Sequence, residues 1–543
     1  MRPAVRLSGL TSRSCRPIAA AGPELRAALP PPPPLQQAAP TSRPRHSFVS
    51  ARGYASHPST HPSKPPRQGQ PLHHTHPHLV GSGELTPGIP ASEYEERRRK
   101  LMESLPEGSV VVCMGGTVRL VSQRDYKFRQ ATDFNYLTGF NEPEATLVLE
   151  SRPSTSKGYR YTLFVPPKDD HDTLWSGECS GVEGAVSVFG ADEVCPLSSS
   201  ALAAHLPALL RSENLFVSVP PLPSPSPSSQ PLQPPPPRRR SSLLKLFTSD
   251  PSSSASWSSA SDPPHLLISA ALASERARPL EREVHRLRLV KSKSELAIMK
   301  RAADISAAAH TRLMGFVNGG MREDRLAVEF AYMCAKEGSE REAYVPVIAS
   351  GANGLVIHYT SNDNVVDDGD LVLVDAGCEL HMYASDITRT FPANGKFSEP
   401  QRDLYTAILR AQKECVKRCK VEDGISMNEL HRASCGLLLA ELRQIGFKLG
   451  VGDIERRLYP HFLSHHLGSD LHDCPTADRS AALTEGNVIT IEPGIYVPFD
   501  NAYPKHFHGM GIRVEDEVAF QKDGPWVLSA NAPKEIVDIE GLR

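Results

Sequence analysis

Two stretches of the chain repeat each other 117 residues apart, Asp370-Leu-Val-Leu-Val-Asp375-Ala-Gly377 and Asn487-Val-Ile-Thr-Ile-Glu492-Pro-Gly494. Each reads as an apolar β-rich run that ends in a carboxylate. An acid-Gly pair precedes each, Asp368-Gly369 and Glu485-Gly486. A second run with its own acid follows each, Asp386 in Asp386-Ile-Thr-Arg-Thr-Phe391 and Glu515 in Gly511-Ile-Arg-Val-Glu515-Asp516. Two acidic hairpins are therefore predicted. Four carboxylates at the ends of apolar strands would repel and desolvate one another unless cations neutralised them, because an isolated buried charge is very costly. Metal ions are the simplest answer. Between the hairpins, His461-Phe-Leu-Ser-His465-His466-Leu-Gly468-Ser-Asp470-Leu-His472 supplies imidazoles, one of which could complete the site. Four carboxylates and one imidazole balance two divalent ions better than one. Such oxygen-rich ligation, with no thiolate, suits manganese first, with cobalt or zinc able to replace it.

In that order, these three pieces resemble the pita-bread metallopeptidases, the superfamily of methionine aminopeptidase, prolidase and the Xaa-Pro aminopeptidases, in which a duplicated αβ half folds around two metals. The resemblance implies that Asp375, Asp386, His465, Glu492 and Glu515 are the ligands, with none replaced. It also implies that His358, in Ser350-Gly-Ala-Asn-Gly-Leu-Val-Ile-His358-Tyr-Thr360, and His472 hydrogen-bond the scissile carbonyl or its developing oxyanion. Glu492 would shuttle a proton to the leaving amine, and His461, Tyr496 and Arg513 would line the substrate pocket. Binding of the substrate's free α-amine to a metal would restrict cleavage to the first peptide bond. The chain departs from the family at Phe462, where Gly is common, and at His466, where Trp is common. Both departures bear on pocket shape rather than on ligation.

Upstream, Tyr126-Lys-Phe-Arg-Gln-Ala-Thr-Asp-Phe-Asn-Tyr-Leu-Thr-Gly139 and Trp175-Ser-Gly177 resemble the N-terminal domain of aminopeptidase P, which methionine aminopeptidases lack. A further similarity is to the mitochondrial Xaa-Pro aminopeptidase group that includes the intermediate-cleaving peptidase. The implied fold is α/β (α+β): a creatinase-like aminopeptidase P domain over residues 88–285, then a pita-bread domain with duplicated αβ halves over 286–543.

Local patterns fill in the elements that must position these residues. Ser92, with Glu95 three residues on, predicts a helix N-terminus. Val110–Cys113, Ala145–Glu150 and Tyr161–Val165 read as strands, and Leu202–Leu210 as helix, so the N-terminal domain is α/β. It is expected to make dimer contacts and to narrow the mouth of the site. Leu296, Met299, Ala303 and Ala307 mark one face of a long helix, and further helices fit Arg322–Glu337 and Gln401–Val421. Residues 218–264 turn to Pro and Ser and are expected to form a disordered insertion. Its Arg238-Arg-Arg-Ser-Ser242 and Leu243-Leu-Lys-Leu-Phe247 fit solvated linker better than a kinase site or a docking helix.

Residues 1–83 hold nine Arg and one Lys against a single acid, Glu24, and are rich in Ser, Ala and Pro. That composition predicts a mitochondrial presequence and disordered leader, and hence the matrix or the matrix face of the inner membrane. Its seven histidines read as a solvated tract rather than a site. Arg52-Gly-Tyr54-Ala55-Ser56 resembles a processing cut two residues after Arg, leaving Tyr54 as the kind of bulky temporary N-terminus that intermediate-cleaving peptidases remove. The chain could therefore trim its own precursor to Ala55.

Composition bounds the alternatives. The 543 residues leave room for two or more full-sized cores, and a net charge of -2 offers no general affinity for nucleic acid. No run of 18 apolar residues occurs. Ten scattered cysteines read as reduced thiols, with Cys415 and Cys419 packing on a helix. The expected partners are peptide or protein N-termini and a second copy of the chain. The expected function is a dinuclear-metal aminopeptidase that removes one residue from mitochondrial precursor intermediates. A general Xaa-Pro aminopeptidase and a catalytically dead binding module are the rival readings.

Overall fold

In the computed structural model, residues 69–121, 124–198, 212–219 and 277–543 are described, together with Ala201 and His205. The leader through residue 68, the insertion from residue 220 on, the 202–210 helix except His205, and the Tyr54 motif lie outside these residues.

Among the described residues, the N-terminal domain is built on a six-stranded mixed sheet. Its strands are β1 (Val110–Met114), β2 (Thr146–Ser151), β3 (Tyr159–Val165), β4 (Glu193–Pro196), β5 (Leu215–Ser218) and β6 (Ala277–Pro279), in spatial order β6-β5-β1-β2-β3-β4. The predicted strands thus appear with small shifts at their ends. Helix α1 (Ala91–Ser104) starts one residue before Ser92, with Pro90 as its N-cap and no side-chain cap bond. Proline's fixed φ pre-sets the turn into the helix, so a hydroxyl cap is unnecessary.

One boundary needs correction. Residues 69–83, assigned above to a disordered leader, pack on the N-terminal domain: Gln70 Nε2 donates to the Gly139 carbonyl at 3.0 Å, and Asn141 N donates to Gln70 Oε1 at 2.6 Å. Leu72 and Val80 are buried. Two apolar anchors within a Pro- and His-rich tract suffice to hold a short segment against a neighbouring surface, and bulk composition hides them.

The C-terminal domain opens with α2 (Glu281–Arg288), α3 (Lys293–Phe316) and α4 (Glu323–Lys336). A capping box between Ser292 and Glu295 starts α3, and the predicted face of Leu296, Met299, Ala303 and Ala307 is buried. Helix α5 (Glu399–Lys417) begins at a second capping box, Ser398 with Gln401, and ends four residues before the predicted Val421. Helix α6 (Met427–Gln444), which was not predicted, starts at a third, Ser426 with Glu429. Cys415 and Cys419 are buried on the inner side of α5 and its end, and no disulfide occurs among the described residues.

The duplication is visible in the strands. In the first half, β7 (Val347–Ser350), β8 (Leu371–Asp375) and β11 (Thr388–Pro392) form an antiparallel sheet, and between β8 and β11 the chain makes a small hairpin of β9 (Cys378–Leu380) and β10 (Tyr383–Ala384). In the second half, β12 (Val488–Ile491) pairs with β15 (Asp516–Gln521), which pairs with β16 (Gly524–Val527); the intervening hairpin is β13 (Gly494–Tyr496) with β14 (Gly511–Arg513). Asp375 and Asp386 flank the first break, and Glu492 and Glu515 flank the second. Each predicted acidic hairpin is thus a ribbon broken where its acids sit. Gly377 makes the first break possible, since a Cβ there would come within 1.9 Å of the Ser385 carbonyl oxygen.

Contacts between the domains brace the loop that carries the histidines. Arg288 bonds Asp133 at 2.6 Å and Asp470 at 2.7 Å and also pairs with Asp473, to which Lys291 adds a bond of 2.9 Å. Arg129 Nη2 donates to the Ser469 carbonyl at 2.6 Å, and Thr132 Oγ1 to Asp470 Oδ1 at 2.7 Å. The His465–His472 segment is therefore held from both sides. No helix among the described residues is long and apolar enough to cross a membrane.

Candidate metal centre

The five ligand candidates come from three pieces of the chain, the two ribbons and the histidine loop, and converge. Asp386, His465 and Glu515 present donor atoms within 4.8 Å of one another. His465 Nε2 lies 3.2 Å from Asp386 Oδ2 and 3.9 Å from Glu492 Oε1, while its Nδ1 bonds the His466 carbonyl at 3.0 Å. That second bond leaves Nε2 as the atom facing the carboxylates. Asp375 joins through Tyr344, whose hydroxyl oxygen lies 2.6 Å from both Asp375 Oδ1 and Asp386 Oδ1, with its single proton shared between them. Glu515 Oε2 accepts from Thr388 Oγ1 at 2.6 Å.

The pocket candidates assemble beside this cluster. Arg513 donates from Nη2 to Asp375 Oδ2 at 2.5 Å, from Nη1 to Tyr496 OH at 2.6 Å, and from Nε to Thr388 Oγ1 at 3.1 Å. His461 Nε2 meets the same Tyr496 hydroxyl at 2.9 Å, and its Nδ1 lies 3.6 Å from Glu492 Oε2. His472 packs its ring against His465, with centroids 4.4 Å apart. His358 and His472 are exposed at the rim, and the charge of His358 acts on both His461 and His472.

Electrostatics identify what is missing from the protein's own atoms. Burial raises the Asp375 carboxyl despite Arg513; burial raises Glu492; and burial, with the charges of Asp386, Glu492 and Asp375, holds Glu515 well above the carboxylate range. Burial opposes protonation of His465, yet the hydrogen bond and charge of Asp386 prevail and push it up to about 9. Burial and Arg513 push His461 down to about 3. One guanidinium and one imidazolium do not balance four clustered carboxylates. Divalent cations fit the donor set: all oxygen save one imidazole, with each donor oriented by a second bond.

Three neighbours escaped the sequence reading. Tyr344 sits two residues after a short strand and carries no spacing signal. Thr388 belongs to Asp386-Ile-Thr and needed only strand alternation to be placed beside Glu515. Glu517 is fully buried and accepts from the Asp386 backbone N–H at 2.9 Å; in sequence it is indistinguishable from a surface acid. Phe462 stacks on His431, with centroids 4.3 Å apart, and carries the Arg479 guanidinium 4.6 Å from its ring centroid, so this departure from Gly fills space beside His461.

Comparison with known proteins agrees with the two-domain division. The pattern of metallopeptidase family M24 matches residues 297–522, and that of the aminopeptidase P N-terminal domain matches residues 94–217. Intermediate cleaving peptidase 55 of Saccharomyces cerevisiae is 37% identical over 88% of this chain and 89% of its own length. A crystal structure of that yeast protein lacking its N-terminal 58 residues superposes with a TM-score of 0.70 at 36% identity, covering 84% of this chain and 98% of that one. The mitochondrial intermediate cleaving peptidase 55 of Arabidopsis thaliana is 38% identical, with 87% of each chain covered. Human Xaa-Pro aminopeptidase 3 is 34% identical over 91% of this chain and 94% of its own.

Proposed function

The chain belongs to metallopeptidase family M24, with the two domains of an aminopeptidase P, and on that premise we propose that it removes a single N-terminal residue from mitochondrial precursor intermediates after presequence cleavage. It is a metalloaminopeptidase. The observation that carries the finer reading is its similarity to intermediate cleaving peptidases along nearly their whole length.

Asp375, Asp386, His465, Glu492 and Glu515 would hold two divalent ions, manganese by donor hardness. When bound, the ions supply Lewis acidity and an activated water at neutral pH. The remaining work falls to the chain's own groups. Glu492, whose carboxyl burial favours the protonated form, can hold a proton and pass it to the leaving nitrogen. His358 and His472, both exposed, would donate to the carbonyl oxygen as charge develops there. Arg513 fixes Asp375 and Tyr496 at once, so ligand and pocket wall share one anchor. Arg129 and Thr132, reaching across to Ser469 and Asp470, wall the mouth and favour chain ends over internal bonds.

The Arg-rich, acid-poor leader and the Arabidopsis relative's mitochondrial designation support a mitochondrial location, in the matrix or on its inner-membrane face. A homodimer through the N-terminal domain is supported by the exposure of Leu174 and Trp175, 81% and 76%.

The test is a peptide panel digested with added manganese. Peptides beginning Tyr, Leu or Phe before Ala or Ser should lose one residue faster than Xaa-Pro peptides. The reverse order would replace this reading with a general Xaa-Pro aminopeptidase, which the likeness to human Xaa-Pro aminopeptidase 3 supports.

A further inference from the structure

We propose that the outer edge of the N-terminal sheet carries a separate metal site, in which Glu193, Cys195 and His205 hold a zinc-class divalent cation. Their donor atoms, a carboxylate oxygen, a thiol sulfur and an imidazole nitrogen, lie within 4.8 Å of one another. All three side chains are half-buried. They are remote in sequence from the candidate catalytic ligands and belong to the other domain.

The placement follows from strand geometry. β4 is the edge strand, and residues two apart on it face the same side. Parallel pairing sets Cys195 beside Phe164 and Glu193 beside Thr162. Phe164 is buried, and the His205 ring packs edge-on against it, with centroids 5.4 Å apart and planes at 82°. An aromatic contact independent of any ion therefore seats the third donor over the other two. Arg160 bonds one carboxylate oxygen of Glu193 and competes for its charge.

The donor chemistry differs from that of the catalytic cluster. One thiolate, one imidazole and one carboxylate form a borderline-soft set that suits zinc, with water in the fourth position. Zinc bond lengths place tetrahedral donors about 3.6 Å apart, so small side-chain rotations close the site. On binding, the Cys195 thiol gives its proton to solvent and the sulfur donates a lone pair to the cation. The bound ion would clip His205 to the sheet edge, whose outer side pairs with no strand among the described residues.

Cobalt(II) reports this site selectively, because a thiolate-to-cobalt charge-transfer band in the near ultraviolet needs sulfur, and none of the five candidate catalytic ligands supplies it. The full-length protein titrated with cobalt should show the band. His465→Ala and Cys179→Ser should keep it, whereas Cys195→Ser and His205→Ala should lose it or weaken cobalt binding by about tenfold or more. Arg160→Gln should tighten binding by freeing Glu193. Peptidase activity of Cys195→Ser, unchanged, shows that the variant is folded; if it misfolds, His205→Ala decides. Absence of the band in the wild type, its survival in Cys195→Ser or His205→Ala, or unaltered affinity in Arg160→Gln overturns the proposal.

Discussion

The Tyr344 hydroxyl donates to Asp375 Oδ1 at 2.6 Å while making an equal bond to Asp386, so a neutral side chain spans the two acids of the first ribbon. Ligand-orienting groups of this kind typically contribute about 10–100-fold to metal affinity. Tyr344→Phe should weaken manganese binding by about that factor and lower kcat/KM at limiting metal, with the far-UV spectrum unchanged. Isothermal titration with manganese checks it; wild-type affinity would show the hydroxyl to be idle.

Arg513 is buried and bound to Asp375, Tyr496 and Thr388 together. Lysine cannot reproduce that planar fork. Arg513→Lys should therefore cut turnover by at least about tenfold, and Arg513→Ala should cost about 3–5 kcal/mol of stability by leaving Asp375 without its ion-pair partner. Urea unfolding of the metal-free protein gives the second figure.

The fold beneath the centre rests on another buried pair. Arg389 and Asp516 are both fully buried and bonded at 2.8 Å, with Gln412 and Ser529 also donating to Asp516 at 2.8 Å. This pair joins β11 to β15, the strands that follow Asp386 and Glu515. Asp516→Ala should destabilise by about 3–5 kcal/mol, since it strands a buried guanidinium. Denaturant titration of the metal-loaded protein should show a lower midpoint with an unchanged slope.

Stability without metal should depend on pH in a defined direction. His465 is raised from 6.5 to about 9, with Asp386 outweighing burial, and burial raises Glu492 and Glu515. Each folded-state value lies above its unfolded value. The stability these groups contribute is therefore fully present below the unfolded values, about 6.5 for His and about 4.3 for Glu, and is lost as pH rises through the folded ones. The metal-free Tm should fall between about pH 6 and pH 9. Divalent ions need the same groups deprotonated, so added manganese should abolish or reverse the fall. A metal-free Tm that rises over this range contradicts the assignment.

Much of this was legible in the sequence because duplication amplifies a weak signal. A single strand ending in Asp375 means little, whereas its repetition at Glu492, with Asp386 and Glu515 following, fixes a ribbon pair. The faces of α3 and the edges of β1 to β3 followed from periodicity. What escaped depends on contacts distant in sequence. Tyr344 reaches Asp386 across 42 residues, and Glu517 is buried only because β15 passes behind the Asp386 turn. Helix α6 had a readable capping box at Ser426 and Glu429, which the nearby histidine motif overshadowed. The ordered segment 69–83 was hidden because a presequence-like composition masked Leu72 and Val80.

Metal content measured together with turnover probes the centre most directly. Wild-type protein loaded with manganese and freed of excess should retain about two ions per chain and release one residue from a Tyr-Ala-Ser peptide. Asp386→Ala and His465→Ala, still folded by circular dichroism, should lose ions and at least about 1,000-fold in kcat/KM. Either variant keeping both ions and wild-type turnover would contradict a dinuclear centre built on the two ribbons and one imidazole.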